Sequence, residues 1–223
     1  MANFKDAPYF SIHNDYYTPL SAWKNIVPFI KNKNFKKVFE CFLLNSNEQS
    51  KKNLESLGFQ VIGNKKVDFL NEETYTEEMK NKDYDIIISN GPFEKIKSFK
   101  QRKTNLKYRC IKKLFDNDKP FIILLNSTNI FQKWFKELTE NKDIKFIFPS
   151  SKIEYDKYEE GGEKKIYNKS DYWKKIKKEK GYRIKKQMTP EEKKIYDNYD
   201  KEGSCSFNSV YVCYKVLDKN EWI

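Results

Sequence analysis

The sequence predicts an α/β protein in which helices cover both faces of a mostly parallel sheet. Short apolar runs of strand length alternate with stretches of helical spacing through most of the chain. Two of these runs, 84–89 (YDIIIS) and 121–125 (FIILL), are apolar almost throughout, as strands covered on both faces must be. Strands that alternate with helices imply crossover connections and parallel pairing, and therefore a doubly wound arrangement.

The order of the elements follows from the spacing of the apolar residues. The run 38–44 (VFECFLL) predicts the first strand, and a helix at 46–57 then ends at Gly58. The same criteria predict further strands at 59–62, 67–70, 84–89, 121–125, 144–148 and 210–216, and helices at 74–81, 95–115 and 130–138. In such a sheet ligands bind at the carboxyl ends of the strands, so the loops after residues 44, 62, 89 and 125 are the candidate sites.

Length and composition limit the classes of protein to which this chain can belong. Its 223 residues predict one domain, 1–223. Aromatic residues make up 16% of the chain and can build a core although only 38% of it is hydrophobic. A disordered chain, a collagen and a coiled coil are therefore excluded. Because no apolar run approaches the ~20 residues of a membrane span, no membrane partner is expected.

Residues 156–203 interrupt the alternation of strands and helices. This segment is charged, rich in tyrosine and poor in leucine and valine. We interpret it as a basic, aromatic-rich insertion before the last strand, with a helix around residues 172–180.

Positive charge is concentrated in two segments of the chain. The net charge is +12, yet residues 95–113 contain nine basic residues and no acidic one, and 164–186 contain eleven basic residues against two acidic ones. Such clustering is typical of a protein that binds a polyanion, and aromatic rings among the lysines favour nucleic acid, because rings stack on bases while lysines follow phosphates. The candidate nucleic-acid contacts are Lys97, Lys100, Arg102, Lys103 and Lys107, then Lys174, Lys175, Lys177, Lys178, Tyr182, Arg183 and Lys185. The alternatives are solvated helix faces whose aromatic residues pack inward, and a lysine excess that reflects an A/T-rich genome.

The four cysteines do not predict a metal site. Cys41, Cys110, Cys205 and Cys213 lack the two- or four-residue spacing of a zinc knuckle, so no metal is expected. Cys41 and Cys213 lie in apolar runs, as buried thiols do, which favours a reducing, intracellular compartment. His13 is the only histidine, and nothing near it in the sequence supports nucleophilic catalysis.

The tetrapeptide Asn90-Gly91-Pro92-Phe93 directly follows the apolar strand 84–89. An exocyclic amine of a purine is a poor nucleophile because its lone pair is delocalised into the ring. The Asn90 side-chain oxygen and the Gly91 carbonyl would localise that lone pair by accepting the two amine hydrogens. Phe93 would stack on the base, which must be flipped out or single-stranded. The alternative is an ordinary turn, since asparagine, glycine and proline are turn residues.

Several further motifs occur in the order found in one enzyme family. They are Asp15-Tyr16-Tyr17-Thr18-Pro19, Phe39-Glu40-Cys41-Phe42, 57–62 (LGFQVI), Asp68-Phe69, 84–93, 119–125, 207–215 and Trp222. Over most of 15–155 and 205–222 the chain therefore resembles the S-adenosylmethionine-dependent adenine-N6 methyltransferases, especially a compact type from viruses, phages and protists. The resemblance implies a class I methyltransferase-like (Rossmann-like) fold. Its sheet would be doubly wound, mostly parallel and seven-stranded, with the basic segment inserted.

The same resemblance implies a cofactor, partners and roles for individual residues. The cofactor would be S-adenosylmethionine, and the partner DNA or RNA, with a protein partner or a second copy of the chain as a further expectation. The compartment would be cytoplasm, nucleus or a viral factory. The residues on the cofactor side would be Tyr17, Thr18, Pro19, Glu40, Phe42 and Asn45, with Asp68 and Phe69 at the cofactor's adenine. The target base would be held by Asn90, Gly91, Pro92 and Phe93. The segment 156–203 would replace a target-recognition element.

Three positions depart from the family pattern. The loop 43–47 (LLNSN) has no glycine, although family members have a glycine-rich loop there so that the backbone can approach the cofactor. Gly63-Asn64-Lys65 stands where an acidic residue would hold the ribose hydroxyls. Gly91 replaces the first proline of the catalytic motif, which keeps the carbonyl but is expected to lower the rigidity of the turn.

Two hypotheses of function remain open at this point. The first is an active adenine-N6 methyltransferase that transfers the methyl group in line and needs neither a metal nor a general-base histidine. The second is a catalytically inactive methyltransferase-like protein that binds nucleic acid or serves as a subunit or scaffold. The loop 43–47 favours the second hypothesis, whereas Asn90, Pro92 and Phe93 favour the first. In a third interpretation, a basic α/β domain, the order of the motifs would be accidental.

Overall fold

The computed structural model describes residues 17–42, 48–63, 69–71, 83–91, 106–155, 169–198 and 208–223. Its contacts divide the chain into two compact units. We call Met1–Ile153 with Phe207–Ile223 the sheet unit, and Glu154–Ser206 the helical unit. The helical unit contains the segment that the sequence predicts as an insertion.

The sheet unit is built on one seven-stranded sheet in the order β2-β1-β3-β4-β6-β5-β7. Strand β6 runs antiparallel to β4 and β5, and the other pairs are parallel. The predicted α/β architecture with a mostly parallel sheet is therefore confirmed, and it is compatible with a Rossmann-like fold. The strands are β1 (Lys37–Phe39), β2 (Gln60–Ile62), β3 (Ile86–Asn90), β4 (Phe121–Asn126), β5 (Ile144–Phe148), β6 (Ser209–Tyr214) and β7 (Glu221–Trp222).

Two predicted strands differ from the structure, and one observed strand was not predicted. Strand β1 ends at Phe39 rather than at residue 44: beyond it, the backbone N–H of Phe42 donates to the Glu40 carboxylate at 3.1 Å instead of to a neighbouring strand. Residues 69 and 70, the end of a predicted strand, form a turn, while 64–68 lie outside the described residues. Strand β7 was not predicted, since two residues are too few to show an alternating pattern.

Helices of the sheet unit pack beside these strands in the expected alternation. They are α1 (Leu20–Asn32), α2 (Gln49–Ser56), α3 (Leu106–Asp116) and α4 (Lys133–Thr139), the last preceded by a short 3-10 helix, Ser127–Phe131. Helix α1 was not predicted, although it buries Trp23, Ile26 and Ile30 at helical spacing. Helix α2 ends as predicted before Gly58, whose φ of 89° requires a glycine. The predicted helix 74–81 lies outside the described residues, as do residues 92–105 before α3.

The core of the sheet unit lies on the central strands. Every residue of β6, and all but the last residue of β3 and β4, is buried. On one face, aromatic rings of α3 and the sheet pack together, with Phe115 and Tyr214 edge-on at 5.3 Å between centroids. Elsewhere in the unit, the Tyr211 hydroxyl donates to the carbonyl of Ala22 in α1 at 2.8 Å. The buried side chains of β3 and β4 fix these strands in the centre of the sheet, and therefore also fix the positions of their carboxyl ends.

The helical unit is built differently. Its described part contains α5 (Lys169–Lys180), a 3-10 turn (Lys185–Gln187) and α6 (Pro190–Asn198). Thr189 and Glu192 form a reciprocal cap at the start of α6: Thr189 Oγ1 accepts from the N–H of Glu192 at 3.2 Å, and the Glu192 carboxylate accepts from the N–H of Thr189 at 2.8 Å. The rings of Tyr172 and Tyr196 lie 6.4 Å apart. In the parts of the chain that the structure describes, no helix is long and apolar enough to span a bilayer.

Candidate functional site

Strands β1 and β3 flank the point where the strand order of the sheet reverses. Strand β2 lies on one side of β1, and β3, which follows β2 in the chain, lies on the other. In open α/β sheets such a reversal leaves a crevice at the carboxyl ends of the strands, where ligands bind. Glu40 directly follows β1, and Asn90 is the last residue of β3. Two of the predicted site residues therefore lie at the carboxyl ends of the two strands that flank this reversal.

Glu40 is held inside the protein by three hydrogen bonds. Its side chain accepts from the hydroxyl of Ser89 and from the backbone N–H of Phe42 on Oε1, and from the hydroxyl of Ser50 at 2.6 Å on Oε2. The residue is only 2% exposed. Burial raises the pKa of the Glu40 carboxyl to about 7, although the hydrogen bonds oppose that shift. Both oxygens are thus engaged by the chain itself.

Gly91 continues the pairing of β3 with β4 beyond the last ladder residue. Its N–H donates to the carbonyl of Leu124 at 3.1 Å, a bond that proline cannot make. A Cβ atom at this position would lie 2.7 Å from Leu125 Cδ2 and 3.2 Å from Ile123 Cδ1. This hydrogen bond and the tight packing hold the Gly91 backbone against β4, while the lower rigidity expected of the turn as a whole stays a prediction. Of the four residues predicted to hold the base, Pro92 and Phe93 lie outside the described residues.

Thr18, which lies just before α1, contacts helix α2. Thr18 is buried, and its carbonyl accepts a hydrogen bond from Asn53 Nδ2 at 3.1 Å. Among the described residues the Thr18 hydroxyl has no hydrogen-bond partner. Tyr17 is half-buried, and Pro19 is the residue that precedes α1. Since α2 also carries Ser50, one helix contacts both Thr18 and Glu40.

The remaining residues of the predicted cofactor side are brought together only in part. The rings of Phe42 and Phe69 meet edge-on at 5.3 Å. Phe69 is 1% exposed and belongs to the core, with Lys113 Nζ 5.6 Å from its ring centroid. Asn45 and Asp68 lie outside the described residues.

A polar cluster at the end of β4 lies in the loop after residue 125, one of the predicted site loops, although its individual residues were not predicted. Asn126 Oδ1 accepts from the N–H and hydroxyl of Thr128 at 2.9 and 2.8 Å, and Asn129 Nδ2 donates to the carbonyl of Asn126 at 2.7 Å. Lys107 Nζ donates to Asn129 Oδ1 at 3.3 Å. The signal for this cluster was the run Asn-Ser-Thr-Asn directly after an apolar strand.

Lys107 is correspondingly not part of an exposed basic surface. It was predicted as a phosphate contact, but it is 4% exposed on the inner side of α3. The charge count of segment 95–113 could not distinguish it from its neighbours, because burial depends on which face of the helix meets the sheet. The other candidate contacts of this segment, Lys97, Lys100, Arg102 and Lys103, lie outside the described residues.

The basic residues of the helical unit are exposed. Helix α5 buries Tyr172 and Ile176, and the candidate contacts with exposed side chains are Lys174, Lys175, Lys177, Lys178, Arg183 and Lys185. Lys175 Nζ lies 4.0 Å from the carboxylate of Glu179, one turn along the helix. Tyr182 is half-buried, and burial together with the neighbouring Glu192 raises the pKa of its hydroxyl.

Two further observations bear on the kind of site. In the described ranges, no cluster of histidine, cysteine, aspartate and glutamate side chains could hold a metal ion. No protein-family model matches the chain, and a search of curated proteins gives no match. The features of the described residues that bear on function are the geometry at the ends of β1 and β3 and the charge of the helical unit.

Proposed function

We propose that this protein acts on nucleic acid through a class I methyltransferase-like domain and transfers a methyl group from S-adenosylmethionine to N6 of adenine. The observation that carries the proposal is the position of Glu40 and Asn90 at the carboxyl ends of β1 and β3, on the two sides of the strand-order reversal. The family resemblance assigns the cofactor to the first strand end and the base to the second. A hydrogen bond from Ser89 to Glu40 joins the two ends directly.

The cofactor side fits S-adenosylmethionine in one respect and limits its contacts in another. The buried Thr18 hydroxyl, which pairs with no described residue, is a polar group available to a ligand. Both Glu40 oxygens accept hydrogen bonds from the chain, so Glu40 would shape the loop after β1 rather than bind the ligand. When bound, the cofactor would supply an electrophilic methyl group at this edge of the sheet.

The base side supplies acceptors for an amine. Asn90 Oδ1 and the Gly91 carbonyl would each accept one of the two hydrogens of the adenine amine and so return electron density to N6. The Gly91 backbone is held by its hydrogen bond to Leu124, so this acceptor would keep its position without a proline. Phe93 would stack on the base. Neither a metal nor a histidine is required by this chemistry.

The helical unit would bind the phosphate backbone. Its exposed lysines and Arg183 form a surface of positive charge, and lysine acts on phosphate as a point charge without reading bases. Affinity would therefore be independent of sequence and would fall steeply with salt. The buried thiols of Cys41, Cys110 and Cys213 fit the reducing, intracellular compartment that the sequence predicts.

A second candidate function is a catalytically inactive nucleic-acid-binding or scaffold subunit with the same fold. The observation in its favour is the glycine-free loop 43–47, whose side chains would occupy space that the methionine part of the cofactor needs. The missing acidic residue after β2 points the same way.

Calorimetric titration with S-adenosylmethionine separates the two candidates. The enzyme should bind the cofactor and methylate adenine in single-stranded oligonucleotides. Asn90→Ala should abolish transfer with nearly unchanged cofactor affinity, while Asn32→Ala, an exposed asparagine at the end of α1, should leave both unchanged.

Three outcomes would contradict parts of this proposal. Absence of heat and of a thermal shift at millimolar cofactor would exclude the enzyme and leave the inactive subunit. Equal transfer by Asn90→Ala and the unmodified protein would disprove the role of Asn90. Affinity for oligonucleotides that does not change with salt would contradict the assigned phosphate contacts of the helical unit and leave only the scaffold form of the second candidate.

A further inference from the structure

A buried carboxylate connects three elements at the candidate site. Glu40 follows β1, Ser50 lies in the first turn of α2, and Ser89 precedes the last residue of β3. Both serine hydroxyls donate to the Glu40 carboxylate, to different oxygens, and the N–H of Phe42 donates to the oxygen that Ser89 contacts. The serines lie 10 and 49 positions from Glu40 in the sequence, so this cluster exists only in the folded chain.

The cluster is costly to disturb. A carboxylate is only an acceptor, and one that is 2% exposed is tolerated in the interior because all three donors satisfy it. Hydrogen bonds to a charged acceptor are stronger and shorter than neutral ones. The Glu40 carboxylate therefore connects the ends of β1 and β3 and the start of α2 through hydrogen bonds.

Ser89 and Asn90 are consecutive residues of β3, so their side chains point to opposite faces of the sheet. A hydrogen bond that anchors Ser89 restrains the backbone from which the Asn90 side chain projects. We infer that Glu40, acting through Ser89, is a positioning residue that holds Asn90 in the orientation needed to accept the amine of the target base. This inference rests on the proposed function of Asn90.

The protonation state of Glu40 gives this link a distinct signature. The pKa of Glu40 is about 7, with burial as the main cause. The titratable neighbour is the Cys41 thiol, whose own pKa burial raises well above its usual value, and Lys51 of α2 is directed to the carbonyl of Gly63 at 3.3 Å. Below neutral pH a protonated Glu40 becomes a donor at one oxygen and cannot keep all three bonds in the same form. Positioning of Asn90 should therefore weaken as the pH falls through 7.

The experiment compares Ser89→Ala, which removes the link, with Ser56→Ala on the far end of α2, whose hydroxyl donates to the carbonyl of Asn53 at 2.7 Å. For methyl transfer to an adenine-containing oligonucleotide, Ser89→Ala should lower kcat roughly tenfold, the effect of one charge-assisted hydrogen bond. The KM for S-adenosylmethionine should change little beyond the Ser56→Ala value, and kcat is compared at temperatures at which both variants are folded. Where the unmodified protein transfers methyl groups, an equal kcat for the two variants would overturn the inference.

A pH profile provides the second readout. The kcat of the unmodified protein should rise with an inflection near pH 7, and Glu40→Gln, which cannot ionise, should lose that inflection. If Glu40→Gln does not fold, Ser89→Ala replaces it, because removing the link should also flatten the profile. An unchanged inflection in Ser89→Ala would contradict the assigned path through Ser89.

A measurement without turnover separates this inference from the proposed function. In ¹⁵N-labelled protein, the side-chain amide of Asn90, assigned with Asn90→Ala, should shift with a midpoint near pH 7 in the unmodified protein and not in Ser89→Ala. If methyl transfer is absent but this shift is present, the proposed function fails and the positioning link stands. If the shift is absent, the link fails whether or not the protein is an enzyme.

Discussion

The sheet unit and the helical unit use their side chains in opposite ways. In the sheet unit, strands β3, β4 and β6 are buried along nearly their whole length, and even a carboxylate and a lysine, Glu40 and Lys107, lie inside. In the described part of the helical unit, α5 buries Tyr172 and Ile176 and exposes its lysines. Packing against neighbouring elements thus fixes the positions of individual side chains in the sheet unit. In the described part of the helical unit, the charged side chains are instead exposed to solvent or to a partner.

The same contrast decides between two interpretations of the aromatic residues among the lysines. Tyr172 packs inward, so for this ring the solvated-helix interpretation is correct. Trp173 and Tyr182 are only half-buried. Tyr196 of α6 is half-buried as well, so stacking on bases by the helical unit is limited, for the described residues, to these three rings.

The largest difference between the units should appear on truncating an isoleucine in each. Ile88 of β3 is 0% exposed and Ile195 of α6 is 46% exposed. Ile88→Ala should lower the free energy of unfolding by about 4 kcal/mol, because it removes buried methyl groups and leaves a cavity. Ile195→Ala should change it by less than about 0.5 kcal/mol. Urea unfolding measures both, and equal losses would show that the helical unit has a core of comparable tightness.

The buried carboxylate should give the sheet unit a pH dependence of stability. The folded-state pKa of Glu40, about 7, lies above the ordinary value of 4.5. Between these values the folded protein holds a proton that the unfolded chain releases, so stability should fall by roughly 3 kcal/mol as the pH rises through this window.

The control for this dependence is Glu40→Gln, which should lack the fall. Asp85 and Asp118 have lowered pKa values, so the stability they contribute is lost only as the pH falls below their ordinary 3.8, outside the window. A profile from chemical denaturation at fixed pH values that is identical in Glu40→Gln would contradict the assignment.

Two glycines should respond to alanine for different reasons. Gly91→Ala should cost about 2 kcal/mol, because the new Cβ would overlap Leu125 and press on Ile123. At Gly181 of the helical unit a Cβ would meet nothing within 4 Å, but the φ of 69° is unfavourable for alanine, and Gly181→Ala should cost about 1 kcal/mol. Thermal and urea unfolding of the two variants distinguish them, and a neutral Gly91→Ala would disprove the tight packing of this turn.

The smallest effects are expected for single lysines of α5. Lys177→Gln and Lys178→Gln should each weaken oligonucleotide binding about two- to fivefold at low salt and reduce the salt slope by about 1. Lys175→Gln should have less effect, because Glu179 lies 4.0 Å away and already offsets its charge. Fluorescence anisotropy across a salt series measures this, and equal losses for all three lysines would point to a diffuse field rather than a defined face.

The sequence alone predicted those features that local patterns encode. The apolar runs of β3 and β4 indicated strands covered on both faces, and the position of Asn90 directly after β3 indicated the edge of the sheet to which it belongs. Helix α1 carried a periodic signal that was missed, and β7 was too short to carry one.

The tertiary structure decided everything that depends on residues far apart in the chain. The bond from Ser89 to Glu40 spans 49 positions and that from Lys107 to Asn129 spans 22. In neither bond does the residue type of one partner predict the other partner. Both bonds form because the folded sheet brings particular ends of strands and particular faces of helices together. Periodicity tells which side of an element is buried, but only packing tells what each buried polar group meets.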